Sequence, residues 1–497
     1  MSLDIVIVGG GISGLVAGIY AQRAGMSAMI VEKNHVAGGE CTGWDREGFH
    51  IDNCLHWLVG SKPGSDLHRI WAEVGALDTG VHQPEFMYRS ELDGESLTLW
   101  ADIDRTEKEL LALSPADADN IRWLMRLCKL GGSVMPPAEK PGEMWSFTDV
   151  IMMSAQMNKL VKLDKELAGM DTRDLAYRFS HPLIRAAITD FCPPESLANS
   201  FPMAYGNFAA GDGGIPKGGS RALAQRLVAK YKELGGVLLL GTPAVKIERN
   251  AEGAARGVTL KDGRYLKADY VIAACDTSVT FGTLLPKKLM EPMLARMYKE
   301  SKNFRIYGMF QAAFAVDAAE PITHGDVMLE VNLGDIPWAG NRITVKDFAY
   351  EPDFAPAGKQ LLQVMLGTHD AAFDWWYELY RRDHAAYDAE KAKLAARLQQ
   401  VLEERWPQLV GKLRLLDSWT PVTYHRYCNA YRGYNQAFTP TKKSGKEFYP
   451  KPYLNNVPRL ILAGQWMSPP GGLPAAAIQG KFAIQRILQR EGKSIKV

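Results

Sequence analysis

The chain has 497 residues, of which 46% are hydrophobic and 23% charged, so it is long enough for two or three domains with cores of their own. Lys and Arg total 58 against 56 Asp and Glu, and this near balance argues against nucleic acid as a partner. The six cysteines have neither the spacing of a zinc site nor the density of a disulfide scaffold, so we expect free thiols and no metal.

The N-terminal segment is predicted to form a β-α-β unit. Leu3–Val8 is rich in Ile and Val, as is typical of a strand buried on both faces of a parallel sheet. Apolar and small residues recur at helical spacing over residues 12–24, and Gly25 follows as a stop signal. A second strand is expected at Ala28–Val31.

A glycine-rich run, GGGISG at residues 9–14, lies between the first strand and the helix and fits the pattern G-x-G-x-x-G. Gly9 is expected to make the tight turn, Gly11 to let amides approach a pyrophosphate, and Gly14 to let helix and strand pack closely. The helix N-terminus would offer unpaired amides and a positive dipole end to the phosphates. The run therefore predicts a dinucleotide site.

Two features after the second strand narrow the choice of dinucleotide. Glu32 ends that strand, where its carboxylate can accept hydrogen bonds from a ribose and would repel the 2′-phosphate of NADP. Gly38 and Gly39 then provide a second flexible loop. A second phosphate-facing loop suits the extended FAD better than NAD.

The rest of the chain is expected to alternate between helical and mixed regions. Residues 104–207 are predicted to form a largely helical insertion, and the middle section to about residue 416 to mix short strands with a charged helix at 386–405. Strands are predicted at 237–240, 244–248, 255–259, 270–274 and 460–463, and further helices at 218–234 and 475–490.

These segments together resemble the flavin-dependent amine oxidase and phytoene desaturase superfamily, and within it the carotenoid isomerases and retinol saturases. The resemblance implies an α/β fold with a Rossmann-like FAD-binding domain of the glutathione reductase type. It also implies a second α+β substrate domain with a helical insertion. The FAD-binding domain would comprise residues 1–105, 208–290 and 415–497, and the substrate-binding domain residues 106–207 and 291–414.

The same resemblance implies a set of cofactor-binding residues, carried over position by position. They are Gly9, Gly11, Ile12, Ser13, Gly14, Glu32, Lys33, Gly38, Gly39, Val245, Gly464, Gln465, Gly472 and Leu473. Two positions depart from the family pattern. Glu40 follows Gly39 where many amine oxidases and desaturases have an arginine that supports the pyrophosphate, and Gln465 replaces their common acidic residue.

Catalytic residues are harder to assign. His56 lies in the segment that the resemblance places near the flavin, and it is our first candidate for proton handling or substrate orientation. His425, beside Tyr424, is the second candidate. A purely structural role is the alternative for both. The Met-rich stretch at 144–163 is interpreted as a tunnel lining, a segment at a membrane interface or an ordinary core helix.

The predicted function is that of an FAD-dependent oxidoreductase acting on carbon–carbon bonds of an apolar isoprenoid or polyene, by desaturation, saturation or isomerisation. A flavin amine oxidase and a flavin-containing protein that binds prenyl lipids are the alternatives. The chain has one complete dinucleotide fingerprint, so electrons would pass through an external carrier such as a quinone or a protein. With no signal peptide pattern or long apolar run, we expect a cytoplasmic protein, and contact with a membrane surface is left open.

Overall fold

Two large β-sheets organise the chain, one of eight strands and one of seven. The computed structural model describes residues 3–318, 320–334, 336, 338–368 and 370–497. The strands are β1 (Leu3–Val8), β2 (Ala28–Val31), β3 (Gly43–Arg46), β4 (Phe49–Asp52), β5 (Val81–His82), β6 (Phe86–Leu92), β7 (Glu95–Trp100), β8 (Ile215–Pro216), β9 (Val237–Leu239), β10 (Ala244–Arg249), β11 (Ala255–Leu260), β12 (Tyr265–Ala273), β13 (Phe304–Arg305), β14 (Gly308–Val316), β15 (Val327–Glu330), β16 (Ala339–Asp347), β17 (Gln360–Thr368), β18 (Leu413–Trp419), β19 (Thr439–Pro440), β20 (Tyr453–Leu454) and β21 (Val457–Leu462).

Helices cover both sheets and fill the long insertion. They are α1 (Ile12–Arg23), α2 (Asp66–Glu73), α3 (Ile103–Leu113), α4 (Ala118–Gly131), α5 (Phe147–Glu166), α6 (Thr172–Ala176), α7 (Pro182–Phe191), α8 (Ser200–Ala209), α9 (Gly219–Glu233), α10 (Thr277–Val279), α11 (Pro292–Lys299), α12 (Asp370–Arg382), α13 (His384–Arg405), α14 (Pro421–Cys428) and α15 (Leu473–Arg490). Within the described parts of the chain, every helix is too short or too polar to cross a bilayer.

The first sheet joins segments from the start, the middle and the end of the chain. Its parallel core has the order β21-β12-β1-β2-β9, so the carboxyl ends of these strands lie at one edge. The predicted β-α-β unit is confirmed as β1, α1 and β2. The strand predicted at 270–274 is only the second part of β12, because the first part of that strand pairs with β11 instead.

Glycines let α15 lie directly on α1, which places the ends of both helices beside the parallel strands. A Cβ on Gly480 would lie 2.5 Å from the Ser13 carbonyl oxygen and 3.1 Å from the Ala17 backbone nitrogen. The apolar residues of these helices form one core with the strands, including Ile5, Ile7, Leu15, Ile19 and Ile484. Backbone contact of this kind tolerates no side chain at the crossing.

The second sheet has the order β18-β14-β17-β16-β15-β6-β7. Its central strands β14, β16 and β17 have nine residues each, so the expectation of short strands was wrong for them, whereas β13 and β15 are short. Strands β14 and β17 are mainly apolar and buried on both faces, and the first half of β16 is polar and partly exposed. One face packs on α12 and α13. The other shares a core with the first sheet through Ala313, Ala315 and Leu361.

The helical insertion is confirmed as the run from α3 to α8, and the charged helix and the closing helix are confirmed as α13 and α15. Strands β6 and β7, at residues 86–100, and β18, at residues 413–419, belong to the second sheet. Strands β3 and β4 form a hairpin, and its residues Phe49 and Ile51 pack in the core that the two large sheets share.

The contact between α1 and α15 gives the first prediction. In Gly480→Ala, the added methyl group must displace the backbone of α1, so we expect a loss of about 1–3 kcal/mol in stability, seen as a lower thermal midpoint. Gly282→Ala is the matched control, because no atom lies within 4 Å of the position of its Cβ. Equal midpoints for the two variants would contradict close packing at Gly480.

Candidate functional site

The turn from β1 into α1 forms the first part of the site. Gly9 has φ +107°, and a Cβ there would lie 2.9 Å from the carbonyl oxygen that follows β12. A Cβ on Gly14 would lie 2.0 Å from the Gly9 carbonyl oxygen. Leu15 N–H donates to the carbonyl of Gly11 at 3.0 Å, so the amides of the preceding residues lie ahead of the first helical hydrogen bond. These amides stand at the carboxyl edge of the parallel strands.

A second loop rests on this turn, backbone against backbone. Gly38 N–H donates to the Gly10 carbonyl at 2.8 Å, and Gly11 and Gly38 form a parallel bridge. A Cβ on Gly39 would lie 3.3 Å from the Gly11 Cα. The two glycine loops that the sequence separates therefore form one concave backbone surface.

Glu32 anchors the side of this surface. Its Oε2 accepts from Gly10 N–H and its Oε1 from Asn34 N–H, both at 2.8 Å. A carboxylate has about four acceptor sites, so two remain for a ribose. Lys33 lies on the outside, where its Nζ donates to the Arg426 carbonyl at 3.0 Å and to Asn429 Oδ1 at 3.2 Å.

The closing segment adds a second helix N-terminus. Gly464, with φ +116°, follows β21, and the Oε1 of Gln465 accepts from Gly472 N–H at 2.8 Å. This bond fixes the loop from which α15 begins at Leu473. Val245 lies apart from these residues in β10, where it is exposed.

The donors at this edge fit an anionic dinucleotide. Neither α1 nor α15 has an acidic residue in its first turn, so both helix ends keep their positive potential. The Ser13 hydroxyl at the start of α1 is buried without a hydrogen-bond partner among the described residues. A buried hydroxyl of this kind favours a ligand that supplies a partner. The close contacts predicted for Gly9 and Gly14 are confirmed, whereas the role of Gly11 towards a pyrophosphate and the individual cofactor contacts stay predictions.

Glu40 introduces a carboxyl group beside this anion site. Burial, and then the nearby Asp276, raise the pKa of Glu40 to about 8. Asp276 is itself held by Tyr434 O–H at 2.6 Å and Tyr431 N–H at 2.7 Å, although burial raises its pKa as well. The other ionisable groups that face Glu40 are Tyr424, Cys428 and Tyr434. At neutral pH, Glu40 is therefore a neutral acid, compatible with a diphosphate.

A chain of buried polar side chains connects the loop after β4 to the second sheet. Asn53 Nδ2 donates to the Glu40 carbonyl at 3.1 Å, and Tyr424 O–H donates to Asn53 Oδ1 at 3.0 Å. Gln311 Nε2 donates to the Tyr424 hydroxyl oxygen at 2.5 Å, and Gln363 Nε2 to Gln311 Oε1 at 2.6 Å. We call these residues, Asn53, Tyr424, Gln311 and Gln363, the polar chain.

His56 lies close to the polar chain, in the same loop as Asn53. Its Nδ1 is 3.6 Å from Asp326 Oδ2. Burial and the Lys346 ammonium lower the pKa of His56, so its imidazole is neutral at pH 7 and can accept a proton. Lys346 is itself buried, and its Nζ donates to the Leu55 carbonyl at 2.5 Å.

His425 is directed away from His56. Its ring packs edge-on against Phe373 and Tyr377 of α12, and its Nδ1 lies 3.1 Å from the Ala430 carbonyl oxygen. Tyr424, one residue earlier, is the group that α14 directs to the polar chain. The predicted catalytic role of His425 stays a prediction.

Gln311, Gln363 and Lys346 were not singled out from the sequence. Gln311 and Gln363 are long polar residues in strands that are otherwise mainly apolar, GMFQAAFAV for β14 and QLLQVMLGT for β17, and Lys346 lies in the buried second half of β16. Such a residue in a strand that is buried on both faces must find a polar partner. That rule is the signal that could have marked them.

Comparisons with known proteins agree with this geometry. Residues 12–488 match the model of a family described as flavin containing amine oxidoreductase. The chain is similar to prolycopene isomerase 1, chloroplastic, from an Oncidium hybrid cultivar, at 24% identity over 97% of this chain and 83% of that protein. It is also 24% identical to the lycopene-forming phytoene desaturase of a Paracoccus species, over 97% of each chain.

The fold is also similar to that of a solved amine oxidase. Cyclohexylamine oxidase from Brevibacterium oxydans superposes with a TM-score of 0.60 at 15% identity, over 99% of this chain and 100% of that one. At this identity the likeness concerns the fold alone.

The position of Glu40 predicts how FAD affinity depends on pH. A diphosphate favours the neutral acid, so binding raises its pKa further, and above pH 8 binding must take up a proton. Titration of the apoprotein with FAD should give a constant dissociation constant below about pH 7.5, rising towards tenfold per pH unit above pH 8. Gln is a neutral isostere, so Glu40→Gln should show a flat profile over the same range. Parallel profiles for the two proteins would contradict the role given to Glu40.

Proposed function

Because the chain belongs to the flavin containing amine oxidoreductase family, we propose that this FAD-dependent enzyme acts on carbon–carbon bonds of an apolar isoprenoid polyene. Desaturation, saturation and isomerisation all fall within this proposal. The observation that carries this proposal is the composition of the face of the second sheet that packs towards the first sheet. That face is largely aliphatic and aromatic.

The residues at the edge of the first sheet would hold the cofactor. The amides at the start of α1 and the loop of Gly38 and Gly39 would bind the diphosphate, and Glu32 would bind the ribose. Gln465 and Gly472 would position the end of α15 near the ring. When bound, FAD supplies hydride exchange with a substrate carbon. An external carrier, such as a quinone or a protein, would exchange electrons with the enzyme.

The same face of the second sheet suits an apolar substrate. It carries Ala313, Ala315 and Leu361, which share one buried core with Trp419 and Tyr424. These side chains offer apolar contacts to a polyene, and the polar chain and Lys346 lie on the same face of the sheet. The similarity to two carotenoid enzymes over 97% of the chain supports the same substrate class.

We propose His56 as the proton-handling residue. Its lowered pKa keeps a free base available near pH 7. The Asp326 carboxylate would orient the ring through Nδ1, which leaves Nε2 for the substrate. The Lys346 ammonium disfavours a second positive charge beside it, so His56 would release its proton readily.

Anaerobic turnover with a matched substrate panel tests the function. Purified holoenzyme, with its flavin either oxidised or reduced, should convert carotenes or retinol to products separable by chromatography and leave putrescine and cyclohexylamine unchanged. His56→Gln should keep its FAD absorbance yet lose about 100-fold or more in turnover. Oxidation of the amines without conversion of any polyene would establish an amine oxidase instead.

We also propose that α5 docks on a lipid surface, from which a polyene would be drawn. Of its 20 residues, only Leu163 is fully buried. Its outer face carries an apolar stripe at helical spacing, comprising Phe147, Val150, Ile151, Met157 and Val161, and Phe147 is 80% exposed. Lys162 and Lys165 are exposed in the last turns, where they suit anionic headgroups.

Vesicle sedimentation tests this docking surface. The double variant Val150→Asp/Ile151→Asp should bind vesicles of phosphatidylcholine and phosphatidylserine at least about tenfold more weakly, because two apolar side chains no longer enter the bilayer. Val237→Asp/Val410→Asp adds the same charge at exposed apolar positions elsewhere and should bind as the wild type does. Equal loss in both variants would point to charge repulsion, and no loss in either would remove α5 from the interface.

A further inference from the structure

The polar chain ends in an atom without a partner. Gln363 is 1% exposed, and its Oε1 has no hydrogen-bond partner among the described residues. Every other link of the polar chain is satisfied by the next one. An unpaired buried carbonyl oxygen is destabilising, so a ligand that supplies a hydrogen-bond donor is favoured at this end of the polar chain.

The donor and acceptor of each hydrogen bond in the polar chain are fixed by Trp419, which lies at its other end. Trp419 Nε1 can only donate, and it donates to Asn53 Oδ1 at 3.1 Å and to the Tyr424 oxygen at 3.2 Å. The Tyr424 oxygen and Asn53 Oδ1 are 3.0 Å apart, and the hydroxyl proton is needed between them. Gln311 must therefore donate to Tyr424, and its own oxygen must accept from Gln363.

The remaining Gln363 atom is thus an acceptor and not a donor. A flipped Gln311 would require the Tyr424 proton for itself and would leave two oxygens 3.0 Å apart without a hydrogen between them. The same argument excludes a flipped Gln363, whose Nε2 is needed by Gln311 Oε1. The fold therefore presents a carbonyl oxygen at this point.

Gln363 lies on the face of the second sheet that packs towards the first sheet. Its strand neighbours Leu362 and Val364 point to the opposite face, into the core with α12 and α13. Across the sheet Gln363 pairs with Ala313 on one side and Lys346 on the other. The Lys346 ammonium donates to the Leu55 carbonyl, and neither it nor any other described residue donates to Gln363 Oε1.

We propose that Gln363 Oε1 accepts a hydrogen bond from a hydroxyl group of the substrate, so that the enzyme selects an isoprenoid polyene alcohol over the hydrocarbon of the same skeleton. This inference rests on the proposed function. Lys346, one strand away, disfavours an ammonium group as the donor, because two cations would share a buried site. A hydroxyl satisfies the acceptor without adding charge.

Paired ligands test this proposal on the FAD-loaded enzyme. The dissociation constants of all-trans-retinol and of its deoxy hydrocarbon are measured by quenching of tryptophan fluorescence. Gln363→Met keeps the side-chain length and removes the acceptor, so retinol should bind about tenfold to a hundredfold more weakly, with the hydrocarbon unchanged.

Thr368→Val is the matched control. Thr368 lies on the same strand and also has a buried hydroxyl without a partner among the described residues, but its side chain lies on the other face. It should leave the ratio of the two constants unchanged. Retained FAD absorbance and circular dichroism establish that each variant folds.

Two results would overturn the role of Gln363. One is equal weakening of both ligands in Gln363→Met, and the other is an unchanged retinol constant in that variant, which would assign the acceptor to an ordered water. Failure of the wild type to bind or convert any polyene, while holding FAD, would instead overturn the proposed function and this inference with it.

Discussion

Backbone contact between two glycine loops is the constraint on which the rest of the site depends. The loop at Gly38–Gly39 is hydrogen-bonded to the turn at Gly9–Gly14 through Gly38 N–H and the Gly10 carbonyl, and a Cβ on Gly39 would lie 3.3 Å from the Gly11 Cα. Cβ atoms on Gly9, Gly14 and Gly38 would collide with neighbouring carbonyl oxygens. The same requirement recurs where α15 crosses α1 at Gly480. As a result, two helix N-termini and a row of amides meet at the carboxyl edge of one parallel sheet, which is where an anionic dinucleotide binds in folds of this kind.

The electrostatics of this edge are unusual in one respect. Many members of the superfamily that this chain resembles have an arginine at the position of Glu40. A charged carboxylate at this position would repel the phosphates. Burial and Asp276 raise the pKa of Glu40, which removes that charge at neutral pH. The same low-dielectric surroundings lower the pKa of His56. One physical cause, desolvation, therefore keeps both an acid and a base neutral around the proposed reaction chamber.

The second sheet contributes the other wall, and it is not uniformly apolar. The polar chain crosses it from the cofactor loop to Gln363, and Lys346 lies beside its end. Buried polar groups are costly unless they are paired. These side chains therefore impose a hydrogen-bond geometry that a purely apolar tunnel would not provide. A proposed polyene would thus be held along its length by apolar contacts and at one end by a directed hydrogen bond.

The sequence by itself determined the elements whose causes are local. The β-α-β unit, the helical insertion and the steric roles of Gly9, Gly14 and Gly38 follow from periodicity and from backbone conformations that only glycine adopts without strain. The sequence did not show that β14 and β17 are long strands, since strands buried on both faces lose the alternation that marks them.

Only the tertiary structure decided which polar groups meet. Tyr424 and Asn53 are 371 residues apart in sequence, and nothing local distinguishes Tyr424, which joins the polar chain, from His425, which turns to α12. The neutral state of Glu40 and the outward apolar face of α5 likewise depend on which distant segments pack nearby. Hydrogen bonding and desolvation act through space, so the sequence supplies the groups and the fold selects their partners.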